Sequence, residues 1–193
     1  RRFAPLSIHL KDFYANRKEP IYIHYTVNAG FLPATHWLHD PLEGGGRIIG
    51  EGCHFIDYLT FLTGETPISV QAAALPDDGK YHQDNMLLTF TYGDGSVGSI
   101  AYLANGDKSF PKERIEVFSG GKVAVLNDYR SLSLTSAGST RTIRSRFRQD
   151  KGHQASWETF LQSIRQGNDA PIPYEQLLAV SRAAIISMDA AKQ

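Results

Sequence analysis

Hydrophobic residues repeat with a helical period in the first third and at the end of the chain, and with a period of two in between. Helical spacing predicts helices over residues 3–16 and 48–63, a third that ends at Gly167, and a last over residues 174–191. β-Branched and aromatic residues predict a first strand over residues 21–27. Alternation predicts seven more strands, over residues 68–75, 84–92, 96–104, 113–119, 121–126, 130–135 and 140–148.

The order of these elements favours an α+β fold. Tight turns at residues 92–96 and 119–122 join neighbouring strands as hairpins, which predicts an antiparallel meander. Strands bracketed by helices indicate a mainly antiparallel open sheet with the helices packed on one face. We therefore expect a single domain over residues 1–193, a length that suits one hydrophobic core.

The second face of such a sheet is left to water or to a partner. Alternate positions place aromatic rings where a solvated face would carry charge: Tyr22, His24, Tyr102 and Phe118. This pattern predicts a homodimer, or a higher homo-oligomer, that forms through the free sheet face. Isolated apolar residues on an ordinary surface are the alternative.

Composition argues against several classes of partner. The 20 Lys and Arg residues balance the 20 Asp and Glu residues, so no overall field attracts nucleic acid or an anionic membrane. Arg144, Arg146 and Arg148 share one face of the last predicted strand, and a charged strand edge explains them better than a nucleic-acid surface. No apolar stretch approaches the roughly 18 residues that a membrane span needs.

Cysteine usage and the start of the chain bear on its location. Cys53 is the only cysteine, which rules out an intrachain disulfide, and no Asn-x-Ser/Thr glycosylation site occurs. The N-terminus also lacks the hydrophobic region of a signal peptide, so we expect a cytoplasmic protein. Because the chain opens at Arg1 without an initiator Met, we expect it to be part of a longer protein.

Candidate chemistry concentrates in the run from Glu43 to Asp57, where a glycine-rich turn leads into a predicted helix. At about 100° per residue, Glu51, His54 and Asp57 fall on one arc of an otherwise apolar helix. Histidine exchanges protons near neutral pH, and a carboxylate one turn away can hold its tautomer. These positions predict a general acid–base histidine, and a helix histidine that only forms hydrogen bonds is equally compatible with the spacing.

Two other classes of ligand are disfavoured by context. The glycines at 44–46 follow no strand and precede no Lys-Ser/Thr pair, so they predict a tight turn rather than a phosphate-binding or dinucleotide-binding loop. The motif His36-x-x-His39-Asp40 could chelate zinc, but a loop would not preset the ligand geometry, so no metal is expected. We expect His39 and Asp40 to line a pocket mouth that holds a hydroxylated substrate.

Several short motifs occur in an order and spacing that resemble one known family. They are Arg1-Arg-Phe-Ala-Pro5, Trp37 to Asp40, Gly44-Gly-Gly46, Glu51 to Asp57, Asp94-Gly-Ser96, Pro111 to Phe118 and Lys151-Gly-His153. Together they resemble the C-terminal domain of Gfo/Idh/MocA oxidoreductases over essentially the whole chain. The variant is most similar to the bi-domain oxidoreductases, in which this unit follows a zinc-type alcohol dehydrogenase half.

The resemblance implies an α+β domain that supplies the substrate contacts and the oligomer interface of a longer enzyme. In that family an N-terminal Rossmann domain holds NAD or NADP, and hydride passes between the nicotinamide and a carbon of a sugar, sugar nucleotide or polyol. The Rossmann glycines and the Lys-Pro lysine of the family have no counterpart here, so this chain is expected to bind no cofactor and to be inactive alone. A noncatalytic dimerising or carbohydrate-binding module is the alternative.

On the family pattern, His54 matches the catalytic histidine of an Asp-x-Gly-x-His motif. Gly50 stands where that motif has its aspartate. The neighbouring Glu51 is therefore expected to supply the carboxylate, and a different catalytic set is the alternative. Substrate contacts are expected from the nearby loops and from the same helix, at Asn28, Trp37, His39, Asp40 and Asp57.

Overall fold

The α+β class is confirmed by a computed structural model that describes residues 1–145 and 148–191. Within them lie four α-helices, Pro5–Phe13 (α1), Cys53–Thr63 (α2), His153–Gln166 (α3) and Tyr174–Ala190 (α4). The strands are Tyr22–Asn28 (β1), Pro67–Ala74 (β2), Asn85–Tyr92 (β3), Val97–Leu103 (β4), Glu113–Ser119 (β5), Lys122–Asn127 (β6), Ser131–Ser136 (β7) and Ser139–Arg144 (β8). A 3-10 turn covers Trp37–His39, and a π-helical turn covers Ile48–Gly52. None of the described helices combines the length and the apolar character needed to cross a membrane.

The last predicted strand is shorter than the sequence indicated. β8 ends at Arg144, whereas the pattern predicted a strand up to residue 148. The predicted continuation crosses residues 146 and 147, and Arg146 of the arginine stripe lies outside the described residues. Of that arginine stripe, Arg144 lies in a described strand, as the last residue of β8.

The strands form one sheet in the order β2-β3-β4-β1-β5-β6-β7-β8. β1 runs parallel to β4, with Tyr25 opposite Ile100, and antiparallel to β5, with Tyr25 opposite Ile115. The other neighbouring pairs are antiparallel. The mainly antiparallel sheet is thus confirmed. The predicted continuous meander is interrupted, however, because β1 lies between β4 and β5, and the segment that joins those two strands passes β1.

One face of the sheet carries the hydrophobic core. Ile23, Tyr25 and Val27 of β1 are fully buried there, in one cluster with apolar side chains of α1, α2 and α4. Removing this apolar surface from water is the main force that holds the three helices on the sheet. α3 differs, because its apolar stripe is largely solvent-exposed, with Trp157 and Ile164 62% and 60% exposed.

The opposite face of the sheet is more open. Tyr22 of β1 and Phe118 of β5 are about half exposed, and their ring centroids lie 6.2 Å apart. Tyr102 was predicted on this face and that prediction was wrong, because its side chain is fully buried in the core. The parallel pairing of β4 with β1 places Tyr102 beside Val27 and so turns it inward.

The glycine-rich segment enters α2 through a π-helical turn rather than through a continuous α-helix. A π turn holds more residues than an α turn, so the predicted arc of Glu51, His54 and Asp57 does not continue unchanged across the junction. Gly64 ends α2 with a φ of 83°, the left-handed cap that the sequence predicted. The π turn therefore decides the direction of Glu51 independently of the helix that carries His54.

Candidate active site

His54 lies in the first turn of α2 and opens into a cleft of about 400 Å³. Its side chain is exposed, whereas its neighbours Phe55 and Ile56 are fully buried and fix the helix in the core. The cleft is lined by residues from several parts of the chain: Arg1, Arg2, Phe3, Cys53, His54, Asp57, Gly152, His153, Ser156, Ile172, Leu177, Val180 and Ser181. An accessible imidazole is thus carried by a rigid element, which suits precise chemistry.

The surroundings of His54 favour its neutral form. Partial burial lowers the pKa of the imidazole below its usual value, and the Arg1 guanidinium lowers it further. The carboxylates of Glu51 and Asp57 act in the opposite direction, but the net shift is downward. At neutral pH His54 can therefore accept a proton from a hydroxyl group.

Asp57, one turn beyond His54, is held by Arg2. The guanidinium of Arg2 donates from Nε and Nη2 to the two carboxylate oxygens, at 2.8 and 2.6 Å. Its Nη1 also donates to the side-chain oxygen of Gln176 in α4, at 2.6 Å. This charged fork ties the first residues of the chain to two helices at the wall of the His54 cleft.

Glu51 binds three side chains in or beside the π turn. Tyr102 donates to Oε2 at 2.5 Å, Lys112 donates to Oε1 at 2.6 Å, and Arg47 donates to Oε2 at 3.1 Å. Although burial alone would raise the pKa of this carboxyl, these hydrogen bonds lower it to about 2. Glu51 is therefore a fixed negative charge at neutral pH, and its part in a proton relay with His54 stays a prediction.

A side chain at Gly50 would have to displace the end of the Leu38 side chain. A Cβ at Gly50 would lie 2.5 Å from Cδ2 of Leu38, and a Cβ at Gly44 would lie 2.4 Å from the Leu38 Cα. The two glycines let the π turn approach the 3-10 turn closely. The carboxylate of this segment accordingly comes from Glu51, one residue later in the chain.

Of the predicted substrate-binding residues, the structure brings Asp57 into the His54 cleft and places Asn28 and Trp37 elsewhere. Asn28 lines a second cleft, of about 500 Å³, and its Nδ2 donates to the carbonyl of Asp107 at 2.7 Å. Trp37 lies on the 3-10 turn and is 55% exposed. Asn28 thus stabilises the loop after β4 through this hydrogen bond, while much of the Trp37 side chain remains exposed to solvent.

Asp40 and His39 shape the loop that follows β1. Asp40 Oδ1 accepts hydrogen bonds from the amides of residues 42 and 43, at 2.7 and 3.2 Å, which forms an Asx turn. The side chain of His39 is only 7% exposed and lies 3.7 Å from the carboxylate of Asp84. Its ring lies against that of His82 at a tilt of 40°, with the ring centroids 4.7 Å apart. Burial, His82 and Arg47 together lower the pKa of His39.

Arg47 joins the group around His39 to the group around Glu51. Its guanidinium lies 3.1 Å from Glu51 and 3.8 Å from Asp84, and it donates to the carbonyl of Gly30 at 2.6 Å. Burial raises the pKa of Asp84 to about 7, although Arg47 acts against the rise. Sequence reasoning missed Arg47 and Asp84, because no local pattern marks contacts that form only when distant segments meet.

Sequence reasoning also left three residues of the cleft without a role. Arg1, Arg2 and His153 line the cleft with His54, although the sequence marked them only as members of two family-like motifs. Their presence in two separate motifs is the signal that could have identified them. In the described part of the chain, no group of three or more His, Cys, Asp or Glu residues could hold a metal ion.

A family comparison identifies the class of protein. The family described as GFO/IDH/MocA C-terminal domain matches residues 19–120, which is more than half of the 193 residues. The chain therefore belongs to this family. No curated protein matches the chain.

Solved structures share the fold at low sequence identity. A UDP-N-acetylglucosamine 3-dehydrogenase from Acidithiobacillus ferrooxidans aligns with 99% of this chain and 59% of its own, at 21% identity and a TM-score of 0.76. An aldose-aldose oxidoreductase from Caulobacter crescentus, complexed with glycerol, aligns with 99% of this chain and 59% of its own. The sequence identity is 16% and the TM-score is 0.80. An oxidoreductase from Agrobacterium radiobacter, in complex with NAD+, L-tartaric acid and magnesium, aligns with 100% of this chain and 61% of its own. The sequence identity is 14% and the TM-score is 0.76. The chain thus spans 59 to 61% of the length of these structures.

The lining of the His54 cleft combines charged and apolar groups, but the described residues supply no unit that would hold the whole length of a dinucleotide cofactor. The neutral imidazole of His54 and the Arg1 guanidinium share the cleft with the apolar side chains of Ile172 and Leu177. A dinucleotide pyrophosphate is usually held by a glycine loop between a strand and a helix. Among the described residues, the glycines at 44–46 follow a 3-10 turn and lead into a π turn, so they do not form that unit.

Proposed function

We propose that this chain is the substrate-side domain of an NAD(P)-dependent oxidoreductase that acts on a hydroxyl of a sugar, sugar nucleotide or polyol. The observation that carries the proposal is His54, an exposed and neutral imidazole at an open cleft, on a helix anchored in the core. Membership of the GFO/IDH/MocA family supports it, and so do the sugar oxidoreductases among the similar structures.

In this proposal His54 is the general base. Its imidazole accepts the proton of the substrate hydroxyl, and in the reverse direction the imidazolium returns it. NAD(P), when bound, supplies the hydride acceptor. Partial burial and the Arg1 guanidinium keep the pKa of His54 low before the reaction, while the negative charge of Glu51 favours the imidazolium that forms during proton transfer.

The other predicted substrate residues have graded roles. Asp57, oriented by Arg2, forms part of the cleft wall and can accept a hydrogen bond from a substrate hydroxyl. Trp37 offers an exposed ring to a substrate that extends beyond the cleft. Asn28 is the last residue of β1, and His39 and Asp40 lie in the segment that follows β1. We propose that these three residues act on the substrate indirectly, by holding the loops in place.

The intact protein is proposed to be cytoplasmic, to carry the cofactor in an upstream Rossmann domain, and to form a homo-oligomer through the open sheet face. A zinc-type alcohol dehydrogenase half is the upstream partner that the motifs resemble most. The exposed Tyr22, Leu87 and Phe118, at 44, 46 and 42%, support contact through this face. Light scattering of the intact protein tests the assembly, and a monomer at high concentration would contradict it.

The test of the chemistry uses the full-length protein with NAD+ or NADP+ and a panel of UDP-N-acetylglucosamine, D-glucose and myo-inositol. His54→Ala is expected to lower kcat by about 10²- to 10⁴-fold, because the general base is lost. His9→Ala is the matched control, since His9 is an exposed histidine that lines a different cleft. Turnover that His54→Ala leaves unchanged would contradict the proposal.

A noncatalytic dimerising or carbohydrate-binding module is the second candidate. Gly50 in place of the motif's aspartate favours it, as does Glu51, whose carboxylate is already bound by three side chains. For such a module, calorimetry would detect sugar binding to the full-length protein while no panel compound is turned over with either cofactor. His54→Ala would then leave the sugar affinity unchanged.

A further inference from the structure

A second histidine shares the cleft of His54. His153 is the first residue of α3, its side chain is exposed, and it lines the same cleft from a different helix. The other described histidines that are exposed or half-buried lie outside this lining, as His9 does. Two imidazoles from different helices therefore face one space of about 400 Å³.

The backbone that carries His153 is fixed at three consecutive positions. Asp150 accepts a hydrogen bond from the Gly152 amide at 2.8 Å. Lys151 donates to the fully buried carboxylate of Glu113 at 2.6 Å. Gly152 has a φ of 78°, and a Cβ there would lie 2.4 Å from the backbone of residues 3 and 4. The start of α3 is therefore held against the same segment that brings Arg1 and Arg2 to the cleft.

The remaining lining suits a polyhydroxylated molecule. Ser156 and Ser181 add hydroxyl groups to the cleft, while Ile172 and Leu177 offer apolar surface to the C–H faces of a sugar ring. One imidazole is enough for the proton of the reacting hydroxyl. A second imidazole can donate or accept one hydrogen bond at each ring nitrogen, which suits a neighbouring hydroxyl.

We propose that His153 binds a second hydroxyl of the substrate, next to the one that His54 deprotonates, and thereby determines which carbon reacts. The proposal rests on the function proposed above. His153 acts by binding and orienting the substrate, whereas His54 moves the proton. Fixing one hydroxyl holds its neighbour at a set distance from His54, because adjacent carbons of a ring keep a constant geometry.

Histidine ring signals test the binding directly. The full-length protein, labelled with ¹⁵N-histidine and saturated with NAD+, is titrated with UDP-N-acetylglucosamine, D-glucose and myo-inositol. The signals of His54 and His153 are assigned from the His54→Ala and His153→Ala variants. At least one compound is expected to shift both rings. A shift of His54 without His153, or no shift of either ring, would overturn the assignment of His153.

Kinetics then separate this inference from the proposed function. For the panel compound turned over fastest, His153→Ala is expected to raise KM about tenfold or more with a smaller change in kcat, since it removes a binding contact. His153→Gln, which can still form one hydrogen bond, should recover part of the loss, and His9→Ala should change neither constant. A deoxy analogue that lacks the neighbouring hydroxyl should be a poor substrate for the unmodified protein and lose nothing further in His153→Ala.

The two possible failures look different. If His54→Ala abolishes turnover and His153→Ala has normal KM and normal discrimination against the deoxy analogue, the role of His153 is overturned and the proposed function stands. If His54→Ala keeps full turnover, the proposed function itself fails and the role of His153 fails with it.

Discussion

Arg2 and Asp57 form a two-pronged ion pair, at 2.6 and 2.8 Å, that connects the beginning of the chain to the helix of His54. Arg2 is only 8% exposed, so Asp57 supplies the counter-ion for a charge that is largely removed from water. Because Asp57 also raises the pKa of His54, the pair couples the stability of the cleft wall to the protonation of the proposed base.

Asp57→Asn is expected to lower the free energy of unfolding by about 1–3 kcal/mol, because it leaves the Arg2 charge without its counter-ion in a partly buried site. The pKa of His54 should fall, since a negative charge near it is removed. Denaturant unfolding and an NMR titration of His54 measure the two effects. Glu116→Gln, in the more exposed pair with Arg114, is the matched control and should cost less than about 1 kcal/mol. Equal losses for the two variants would contradict the prediction.

Glu113→Gln is expected to lower the free energy of unfolding by about 3–5 kcal/mol at pH 7, since Glu113 is fully buried between Arg1 and Lys151. Burial opposes ionisation, but hydrogen bonds from both cations and from Tyr25 lower the pKa of Glu113 from 4.5 to about 2. A carboxyl whose pKa is lowered on folding stabilises the protein above its unfolded value and loses that contribution as the pH falls from about 4.5 towards 2.

Unfolding at a series of pH values checks the Glu113 prediction. The difference between the unmodified protein and Glu113→Gln should shrink below pH 4.5. Lys151→Met, which leaves Arg1 in place, should cost less than Glu113→Gln. A difference that stays constant down to pH 2 would show that the ionised form of Glu113 has no special stability.

Asp84→Asn is expected to increase stability above pH 7 relative to the unmodified protein. Burial raises the pKa of Asp84 from 3.8 to about 7, although Arg47 opposes the rise. The folded state therefore binds more protons than the unfolded state between those two values, so its stability falls as the pH rises through that window. The effect of the substitution should thus grow between pH 4 and pH 7, as measured by thermal unfolding. A difference that does not vary with pH would contradict the buried, raised pKa.

Gly50→Asp, which restores the aspartate of the family motif, is expected to lower the free energy of unfolding by about 1–3 kcal/mol. The reason is overpacking, because its Cβ would lie 2.5 Å from Leu38 Cδ2. Leu38→Ala opens that space, so the double variant should be more stable than the sum of the two single effects indicates. A double-mutant cycle measures this coupling. Additive effects would show that Leu38 does not exclude a side chain from position 50.

Local pattern was sufficient for most of the fold. Ile23, Tyr25 and Val27 alternate with polar neighbours, and that alternation is itself the requirement for burying one face of a strand. The position of β1 between β4 and β5 was not predictable in the same way. It depends on pairings such as Tyr25 with Ile100, whose partners lie far apart in sequence. The wrong face predicted for Tyr102 follows from the same long-range pairing.

The sequence alone established the α+β class, the family resemblance and the choice of His54 as the residue to test. Periodicity and motif spacing are properties of neighbouring residues, so they can be read without the tertiary structure. Only the tertiary structure decided the partners of the charged groups. Glu51 pairs with Lys112, and Asp57 pairs with Arg2. These ion pairs form because strand register, the π turn and helix packing bring the opposite charges together. The same packing placed His153 in the cleft of His54.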